Sequence, residues 1–225
     1  MSITILIAQD HTILREDLRS LIEKQPDMEI ICEAEDGRTA VQRVRELLPD
    51  VVIMDITMPN LNGVEATRHI INELPQIKVI AVSIHSNKRF VADILGAGAN
   101  GYVLKECLFD ELVPAIQAVA AGQRYLSSTI SGIAVEDYVR HPAAVADSPL
   151  SSLTSREREV LQLIAEGKST EQIALDLHVS TKTIEANRRQ IMEKLDIHSI
   201  AELTRCAVRE GLTHLGPSAS DITNS

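Results

Sequence analysis

The chain has 225 residues, a formal net charge of −10 and 44% hydrophobic residues, enough to form one large domain or two ordinary ones. The acidic balance and the 2% aromatic content argue against a protein that coats nucleic acid nonspecifically or stacks bases on aromatic platforms. Three widely spaced cysteines, Cys32, Cys107 and Cys206, predict neither a disulfide framework nor a metal cluster. No apolar run is long enough to span a membrane, so we expect a cytoplasmic protein without a membrane partner.

Apolar strands alternate with amphipathic helices over the first half of the chain. The predicted strands are Ile3–Ala8, Met28–Ala34, Val51–Asp55, Lys78–Ser83 and Gly101–Leu104. The last predicted helix is Phe109–Ala121, in which Pro114 is tolerable only near the first turn. This alternation predicts an α/β fold, a flavodoxin-like doubly wound parallel sheet of five strands, with its switch point between strands one and three. We place this domain at residues 1–125.

Four polar residues stand at or just after the carboxyl ends of these strands: Asp10, Asp55, Ser83 and Lys105. Ligands bind at that edge of an open α/β sheet, and strands one and three bring Asp10 and Asp55 into the same crevice. Two carboxylates with a lysine and a hydroxyl fit a hard cation and a phosphoryl group. The sequence contains neither a P-loop nor a dinucleotide fingerprint, so we expect the phosphoryl group not to arrive on a nucleotide.

A nonperiodic, proline-bounded stretch near residues 141–150 separates the halves, and we assign 126–150 to a linker with a short helix. Residues 151–213 are helical by pattern, and 214–225 form a tail that we expect to be disordered. This second half is nearly neutral, with 9 Lys and Arg against 11 Asp and Glu from residue 150 onward. Three capping boxes mark helix starts, and they pair Thr154 with Glu157, Ser169 with Gln172 and Ser199 with Glu202.

Two short helices joined by a tight turn at Val179-Ser180 predict a helix-turn-helix, although a plain three-helix bundle shares this pattern. The helix that starts near Thr181 carries a local excess of positive charge on its exposed face. Its Lys182, Glu185 and Arg189 are candidates for contacts to base edges in the major groove of double-stranded DNA. Thr181, Thr183 and Arg188 are candidates for phosphate contacts.

The first half resembles the receiver domain of bacterial two-component response regulators. The resemblance covers about residues 3–121 and rests on Asp10, the run from Met54 to Gly63, Ser83, and Gly101 to Lys105. It implies that Asp55 accepts a phosphoryl group from a phosphohistidine of a partner histidine kinase. It also implies that Asp10, Asp55 and the Thr57 carbonyl hold Mg²⁺, and that Ser83, Lys105 and Tyr102 stabilise the phosphoryl group and switch.

The chain departs from the receiver pattern at two positions. Gln9 stands where receivers usually have a second acid, and its amide oxygen brings no charge to a metal-bound water, which predicts weaker Mg²⁺ binding. Glu106 follows Lys105, where many receivers have a proline in a cis peptide, and we expect a trans bond here.

The second half resembles the LuxR-type helix-turn-helix over about residues 150–212, through the runs Leu153–Leu161, Gly167–Ser169 and Val179–Ile184. Asn187 stands where this family often has histidine. The resemblance implies dimers formed through the last helix, with Ile200, Leu203 and Val208. Both halves together resemble response regulators of the NarL/FixJ type, whose active form is a DNA-binding homodimer and for which RNA polymerase is a candidate partner.

Two other interpretations stay open on the sequence. Because of Gln9, the receiver could have lost phosphorylation and act only as a dimerisation or ligand-binding module. A remote alternative is an aspartyl-nucleophile phosphatase, which needs a second acid two residues after the nucleophile, where this chain has Thr57. We therefore expect a regulator rather than an enzyme.

Overall fold

The computed structural model describes residues 2–86, 88–130 and 149–213. The chain divides into two compact units, Met1–Ala146 and Asp147–Ser225. Most of the predicted linker and the whole predicted tail lie outside the described residues. Within the described part, no helix is both long and apolar enough to cross a membrane.

The first unit alternates strands and helices along the chain. In chain order its elements are β1 (Ile3–Ala8), α1 (Thr12–Ile22), β2 (Met28–Ala34), α2 (Gly37–Leu47), β3 (Val51–Asp55), α3 (Gly63–Glu73), β4 (Lys78–Ser83), α4 (Lys88–Gly96), β5 (Gly101–Leu104), α5 (Leu108–Ala120) and β6 (Tyr125–Leu126).

The strands form one parallel sheet in the order β2-β1-β3-β4-β5-β6. The predicted doubly wound fold is confirmed, and its order reverses between β1 and β3 as expected. The predicted number of strands is wrong, because Tyr125 and Leu126 pair with Gly101 and Tyr102 as a sixth strand. The sequence does not reveal β6, since two half-buried residues form no apolar run.

Both faces of the sheet are covered, and this explains the nearly continuous apolar strands. In β3, Val51 and Ile53 pack in one core cluster with residues of α1 and α5. Val52 and Met54 pack in another cluster with residues of α2 and α3. Successive side chains of a strand point to opposite faces, so every residue of this central strand is buried. Only the last residue of β3 lies where the strand leaves the two cores, at the carboxyl end of the sheet.

Helix α3 begins where its capping residue predicts, but the one proline of α5 does not lie where we expected it. Asn62 caps α3 as predicted, because its side chain accepts a hydrogen bond from the Glu65 N–H. Pro114 lies in the interior of α5, which corrects the expectation that it stays near the first turn. A proline there removes one backbone hydrogen bond, and burial of Leu112 and Ile116 in the core offsets that loss.

The second unit is helical and has a core of its own. Its helices are α6 (Ser155–Ala165), α7 (Thr170–Asp176), α8 (Thr181–Leu195) and α9 (Ile200–Arg209), preceded by a 3₁₀ turn at Pro149–Ser152. All four helices contribute buried side chains to one cluster. The predicted core residues Ile184 and Ile191 of α8 are both buried.

The predicted capping boxes are present at two of three positions. Both reciprocal hydrogen bonds form at Thr154 and at Ser169. Ser199 also caps its helix by accepting from the Glu202 N–H, but the Glu202 carboxylate accepts from the Ser199 hydroxyl and the His198 N–H. The third start signal is therefore a simple N-cap.

Candidate functional site

Asp55 ends β3 and is 98% buried, being 2% exposed. The loop that follows it folds back so closely that a Cβ at Gly63 would lie 2.0 Å from the Asp55 carbonyl oxygen. Only glycine allows this approach without a backbone shift. Asn60, in the same loop, has a positive φ of 64°, a conformation that asparagine tolerates better than most residues. This local sequence holds the Asp55 side chain at the sheet edge.

Lys105 is the direct partner of Asp55. It follows β5, and its Nζ lies 2.6 Å from Asp55 Oδ2. The other carboxylate oxygen, Oδ1, accepts a hydrogen bond of 3.2 Å from the Thr57 backbone N–H. The predicted convergence of these two side chains is therefore present, and both oxygens of the carboxylate are fixed in orientation.

The environment of Asp55 raises the pKa of its carboxyl above the ordinary value. Burial is the main cause, because it disfavours the charged form. The Lys105 ammonium and the Thr57 N–H favour the charged form and act in the opposite direction, while the nearby Asp10 adds to the increase. The carboxylate is thus poorly solvated and held by one cation, which suits a nucleophile.

Asp10 and His11 lie beside Asp55. One ligand atom each from Asp10, His11 and Asp55 lie within 4.8 Å of one another, a grouping that could hold a metal ion. Carboxylate oxygens are the ligands that Mg²⁺ takes in proteins, so Asp10 and Asp55 fit the ion implied by the sequence. The Thr57 backbone adjoins Asp55, as its N–H contact shows, and places the predicted carbonyl ligand in the same loop.

Gln9 is 99% buried, being 1% exposed, and its amide points into this neighbourhood through its oxygen. Its Oε1 accepts a hydrogen bond of 3.1 Å from the His11 backbone N–H and lies 3.3 Å from the His11 ring nitrogen Nδ1. Its Nε2 is buried and has no hydrogen-bond partner among the described residues. The oxygen that we predicted for a metal-bound water is therefore already engaged with His11.

Ser83 and Tyr102 form a second polar group at the end of β4 and beside β5. The Ser83 hydroxyl accepts from the His85 N–H at 3.0 Å, and the Tyr102 hydroxyl donates to the His85 carbonyl at 2.6 Å. The Tyr102 side chain is completely buried, and burial raises the pKa of its hydroxyl. The structure thus links Ser83 and Tyr102 to each other through the backbone of the β4–α4 loop.

Three residues near the site were not singled out from the sequence. His11 contacts Asp10, with 2.8 Å between Nδ1 and Oδ1. Arg15 donates to the Gln9 carbonyl at 2.8 Å and so ties α1 to the end of β1. His85 stacks on Phe90 with ring centroids 4.2 Å apart. Sequence position was the one clue that could have identified two of them, because His11 and His85 each closely follow a polar residue at the end of a strand.

The second candidate site is the exposed face of α8. Ser180 caps this helix by accepting from the Thr183 N–H, and it also contacts the Thr183 hydroxyl. Six residues were predicted to contact DNA; all are exposed except the half-buried Arg188, and they are Thr181, Lys182, Thr183, Glu185, Arg188 and Arg189. Asn187, the position that departs from the family pattern, is half-buried and lines a polar hollow with Thr154 and Lys194.

An ion pair fixes α8 to α6. The Lys194 Nζ lies 2.7 Å from Glu157 Oε2, and Glu157 is buried. Burial raises the pKa of Glu157, but hydrogen bonds from Lys194 and Thr154 outweigh it, so this pKa lies below its ordinary value. The charged pair holds the predicted recognition helix at a set angle to the first helix of the unit.

The last helix has only one face available to a partner. Leu203 is completely buried in the core of its own unit, so its predicted contact with a second copy is wrong. Ile200 is 44% exposed and Val208 is half-buried. The apolar pattern of α9 misled the prediction because one stripe packs inward, while Ala201, Thr204 and Val208 lie along the outer side.

Two sequence families match the chain, one for each unit. The family described as the response regulator receiver domain matches residues 5–117. The family described as bacterial regulatory proteins, luxR family, matches residues 151–207. The two matches contain Asp55 and α8 respectively, which are the centres of the two candidate sites.

Several relatives match this chain over nearly its whole length. The transcriptional regulatory protein DegU of Brevibacillus brevis is 34% identical and aligns over 93% of this chain and 94% of its own length. LiaR of Bacillus subtilis is 38% identical, and the alignment covers 95% of this chain and 99% of LiaR. The RcsB response regulator of Salmonella typhimurium is similar in structure, with a TM-score of 0.57 at 25% identity over 91% of this chain and 97% of its own. A complex of RcsB with DNA also matches, with a TM-score of 0.58.

Proposed function

This chain belongs to the two-component response regulators of the NarL/FixJ type, and on that premise we propose that phosphorylation of Asp55 controls its dimerisation and DNA binding. We assign residues 1–125 to the receiver domain and 151–213 to the DNA-binding domain. The observation that carries the proposal is the buried Asp55 carboxylate, held by Lys105 at 2.6 Å with Asp10 beside it.

In the proposed reaction, a carboxylate oxygen of Asp55 attacks the phosphorus of a phosphohistidine on a sensor kinase. The bond between phosphorus and the imidazole nitrogen breaks, its electron pair stays on the imidazole, and an acyl phosphate forms on Asp55. The Thr57 N–H and Lys105 orient the carboxylate before the attack. Lys105 then remains close enough to balance the charge of the transferred group.

Asp10, Asp55 and the Thr57 carbonyl would hold Mg²⁺, which when bound neutralises charge on the phosphoryl oxygens. The carboxylates fit this ion because their oxygens lie within ligand reach of each other. The neutral Gln9 leaves the site one charge short of the usual receiver pattern, so Mg²⁺ binds more weakly here, by at most a few kcal/mol.

Three exposed apolar side chains follow strands that end at the sheet edge of Asp55, and they suit a docking kinase. Ile13 on α1 is 78% exposed, Ile84 after β4 is 71% exposed, and Phe109 in the first turn of α5 is 66% exposed. Ile13 and Ile84 follow β1 and β4, the two neighbours of β3, and Phe109 follows β5, the next strand of the sheet. Large apolar side chains grouped around a polar site are typical of a protein interaction surface.

The switch in this proposal is the polar group of Ser83 and Tyr102. A phosphoryl oxygen on Asp55 would accept a hydrogen bond from the Ser83 hydroxyl. A move of Ser83 toward that oxygen would disturb its contact with the His85 N–H, in the loop that Tyr102 also binds. A local charge would thereby shift the packing around the β4–α4 loop. Phosphorylation biases an existing equilibrium between two arrangements rather than creating a new one.

The output is DNA binding by paired α8 helices. Lys182, Glu185 and Arg189 would reach base edges, and Thr181, Thr183 and Arg188 would contact phosphates. The similarity to RcsB, which is known in a complex with DNA, supports this role. Dimers paired through the outer face of α9 would read half-sites about one helical turn apart.

The test is to treat the full chain with acetyl phosphate, or with beryllofluoride, in the presence of Mg²⁺. The expected result is one modification per chain at Asp55, a shift from monomer to dimer, and tighter binding to DNA. Asp55→Asn is the control and should show none of these changes. An unmodified Asp55, with oligomeric state and DNA affinity unchanged, would contradict the proposal.

Gln9 supports a second candidate function, in which the receiver has lost phosphorylation and serves as a dimerisation or ligand-binding module. The same experiment separates the two, since such a regulator would bind DNA equally well as the wild type and as Asp55→Asn. Sustained release of phosphate from an ester would instead indicate the remote phosphatase alternative.

A further inference from the structure

We infer that His11 serves as a third metal ligand beside Asp10 and Asp55, so that this receiver site prefers a divalent ion that accepts nitrogen, such as Co²⁺ or Zn²⁺, over Mg²⁺. The inference rests on the proposed metal site and names the class of ion that it selects.

The geometry brings the three donors together. Their ligand atoms lie within 4.8 Å of one another, whereas ligands about 2.0–2.2 Å from one ion stand at most about 4.4 Å apart. The three ligand atoms therefore need to approach one another by only a few tenths of an ångström to bind one ion. The His11 side chain is 60% exposed and the Asp10 side chain 16% exposed, so the imidazole can turn toward the ion without disturbing the core.

The donor set decides which ion is favoured. Mg²⁺ takes oxygen ligands almost exclusively and depends on their charge. Two carboxylates and one imidazole form a set that suits later first-row metals, whose affinity rises along the series to Cu²⁺ and falls again at Zn²⁺. Because Gln9 is neutral, the site has less negative charge with which to bind Mg²⁺. It still offers the His11 imidazole nitrogen, a ligand that Mg²⁺ does not use.

Gln9 provides an independent sign that a ligand belongs here. Its carbonyl oxygen holds the His11 backbone N–H at 3.1 Å, and its amide lies beside the His11 ring. Within the part of the chain that the structure describes, the Nε2 of the same amide is buried without a hydrogen-bond partner. A buried donor without a partner is unfavourable, and an anionic oxygen bound to the ion would satisfy it. The amide thus positions His11 and has a buried donor left to satisfy.

The experiment titrates the full chain with Co²⁺, followed by visible absorption and calorimetry, and separately with Mg²⁺. Loss of a direct ligand should weaken binding at least as much as the roughly tenfold loss caused by removing an outer hydrogen-bond partner. We expect His11→Ala to lower the Co²⁺ affinity by at least that factor, to alter the absorption of the bound ion, and to lower the ratio of Co²⁺ to Mg²⁺ affinity.

The matched control is His198→Ala. His198 and Asp196 form an exposed histidine–carboxylate pair in the second unit, with 3.6 Å between Nε2 and Oδ1. This control should bind Co²⁺ as the wild type does. Equal Co²⁺ affinity in His11→Ala and the wild type would overturn the inference, and so would a loss of the Co²⁺ signal in His198→Ala that matches the loss in His11→Ala.

Failure of this inference can be told apart from failure of the proposed function. If acetyl phosphate with Mg²⁺ modifies Asp55 while His11→Ala binds Co²⁺ normally, the phosphoacceptor stands and the role of His11 is wrong. If Asp55 is never modified while His11→Ala loses Co²⁺, the metal site stands without the phosphorylation.

Discussion

Lys105 and Asp55 are fifty positions apart in the chain, and their side chains meet with 2.6 Å between Nζ and Oδ2. The contact exists because β3 and β5 both pair with β4 and end at the same edge of the sheet. It keeps a charged carboxylate in a place that is otherwise almost closed to water. Burial of the charged Asp55 carboxylate therefore costs free energy in the folded state. Phosphorylation and metal binding can reduce that cost.

The first prediction concerns the stability of this carboxylate against pH. The pKa of Asp55 is raised in the folded state, so its contribution to stability is present at low pH and is lost as pH rises through the folded pKa. Asp55→Asn does not titrate. We expect the free energy of unfolding of this variant, relative to the wild type, to increase between pH 4 and pH 7 in urea titrations.

Asp17→Asn is the control for Asp55→Asn, because it removes the same formal charge from an exposed position on α1. A difference between Asp55→Asn and the wild type that stays constant from pH 4 to pH 7 would contradict the argument from burial.

The second prediction concerns the loop behind Asp55. Gly63→Ala would place a Cβ 2.0 Å from the Asp55 carbonyl oxygen, so the backbone must shift. We expect a loss of about 1–3 kcal/mol in the free energy of unfolding, together with slower phosphorylation. Gly96→Ala at the end of α4 meets nothing within 4 Å and should raise stability by up to about 1 kcal/mol. Equal effects of the two substitutions on thermal unfolding would show that the close approach is not constraining.

The third prediction concerns the missing charge at position 9. Gln9→Asp places a third acid beside Asp10 and Asp55, which should lower stability without a metal ion and increase Mg²⁺ affinity. Stability should then recover as Mg²⁺ is added, since an ion that binds only the folded state stabilises it. Gln9→Asn shortens the side chain without adding charge and separates the two effects. Calorimetry that finds Mg²⁺ bound equally by all three proteins would disprove the role of charge.

The fourth prediction concerns DNA recognition by α8. Arg189→Ala and Lys182→Ala should each weaken specific DNA binding by about 1–3 kcal/mol, because each removes an exposed cation from the predicted base-reading face. Arg205→Ala removes the same charge from an exposed position of α9 and should have little effect. Binding isotherms at fixed salt provide the measurement. Losses of the same size for all three variants would indicate only a general effect of charge.

The fifth prediction separates the two sides of α9. Leu203→Ala should destabilise the second unit by about 2–5 kcal/mol, because Leu203 is completely buried. Val208→Asp should weaken dimer formation and destabilise the unit less than Leu203→Ala, because Val208 is only half-buried on the outer side of the helix and a charge there opposes apolar pairing. Analytical ultracentrifugation of the phosphorylated chain tests this. Dimers that persist in Val208→Asp would place the dimer contact elsewhere.

Local structure could be predicted well because it depends on neighbours in the chain. All five apolar runs became strands with the predicted bounds, since a strand covered on both faces needs an unbroken apolar sequence. The N-cap residues Asn62, Thr154 and Ser169 also start helices as predicted, because their side chains bond backbone groups only two or three residues away.

By itself, then, the sequence determined where strands and helices lie and which polar residues stand at the carboxyl ends of the strands. Tertiary structure alone decided that β6 joins the sheet and that Leu203 faces inward. Each of these depends on residues that are distant in the chain or on which side of a helix is covered. Periodicity reports a repeat along one element, but it carries no information about which partner that element meets.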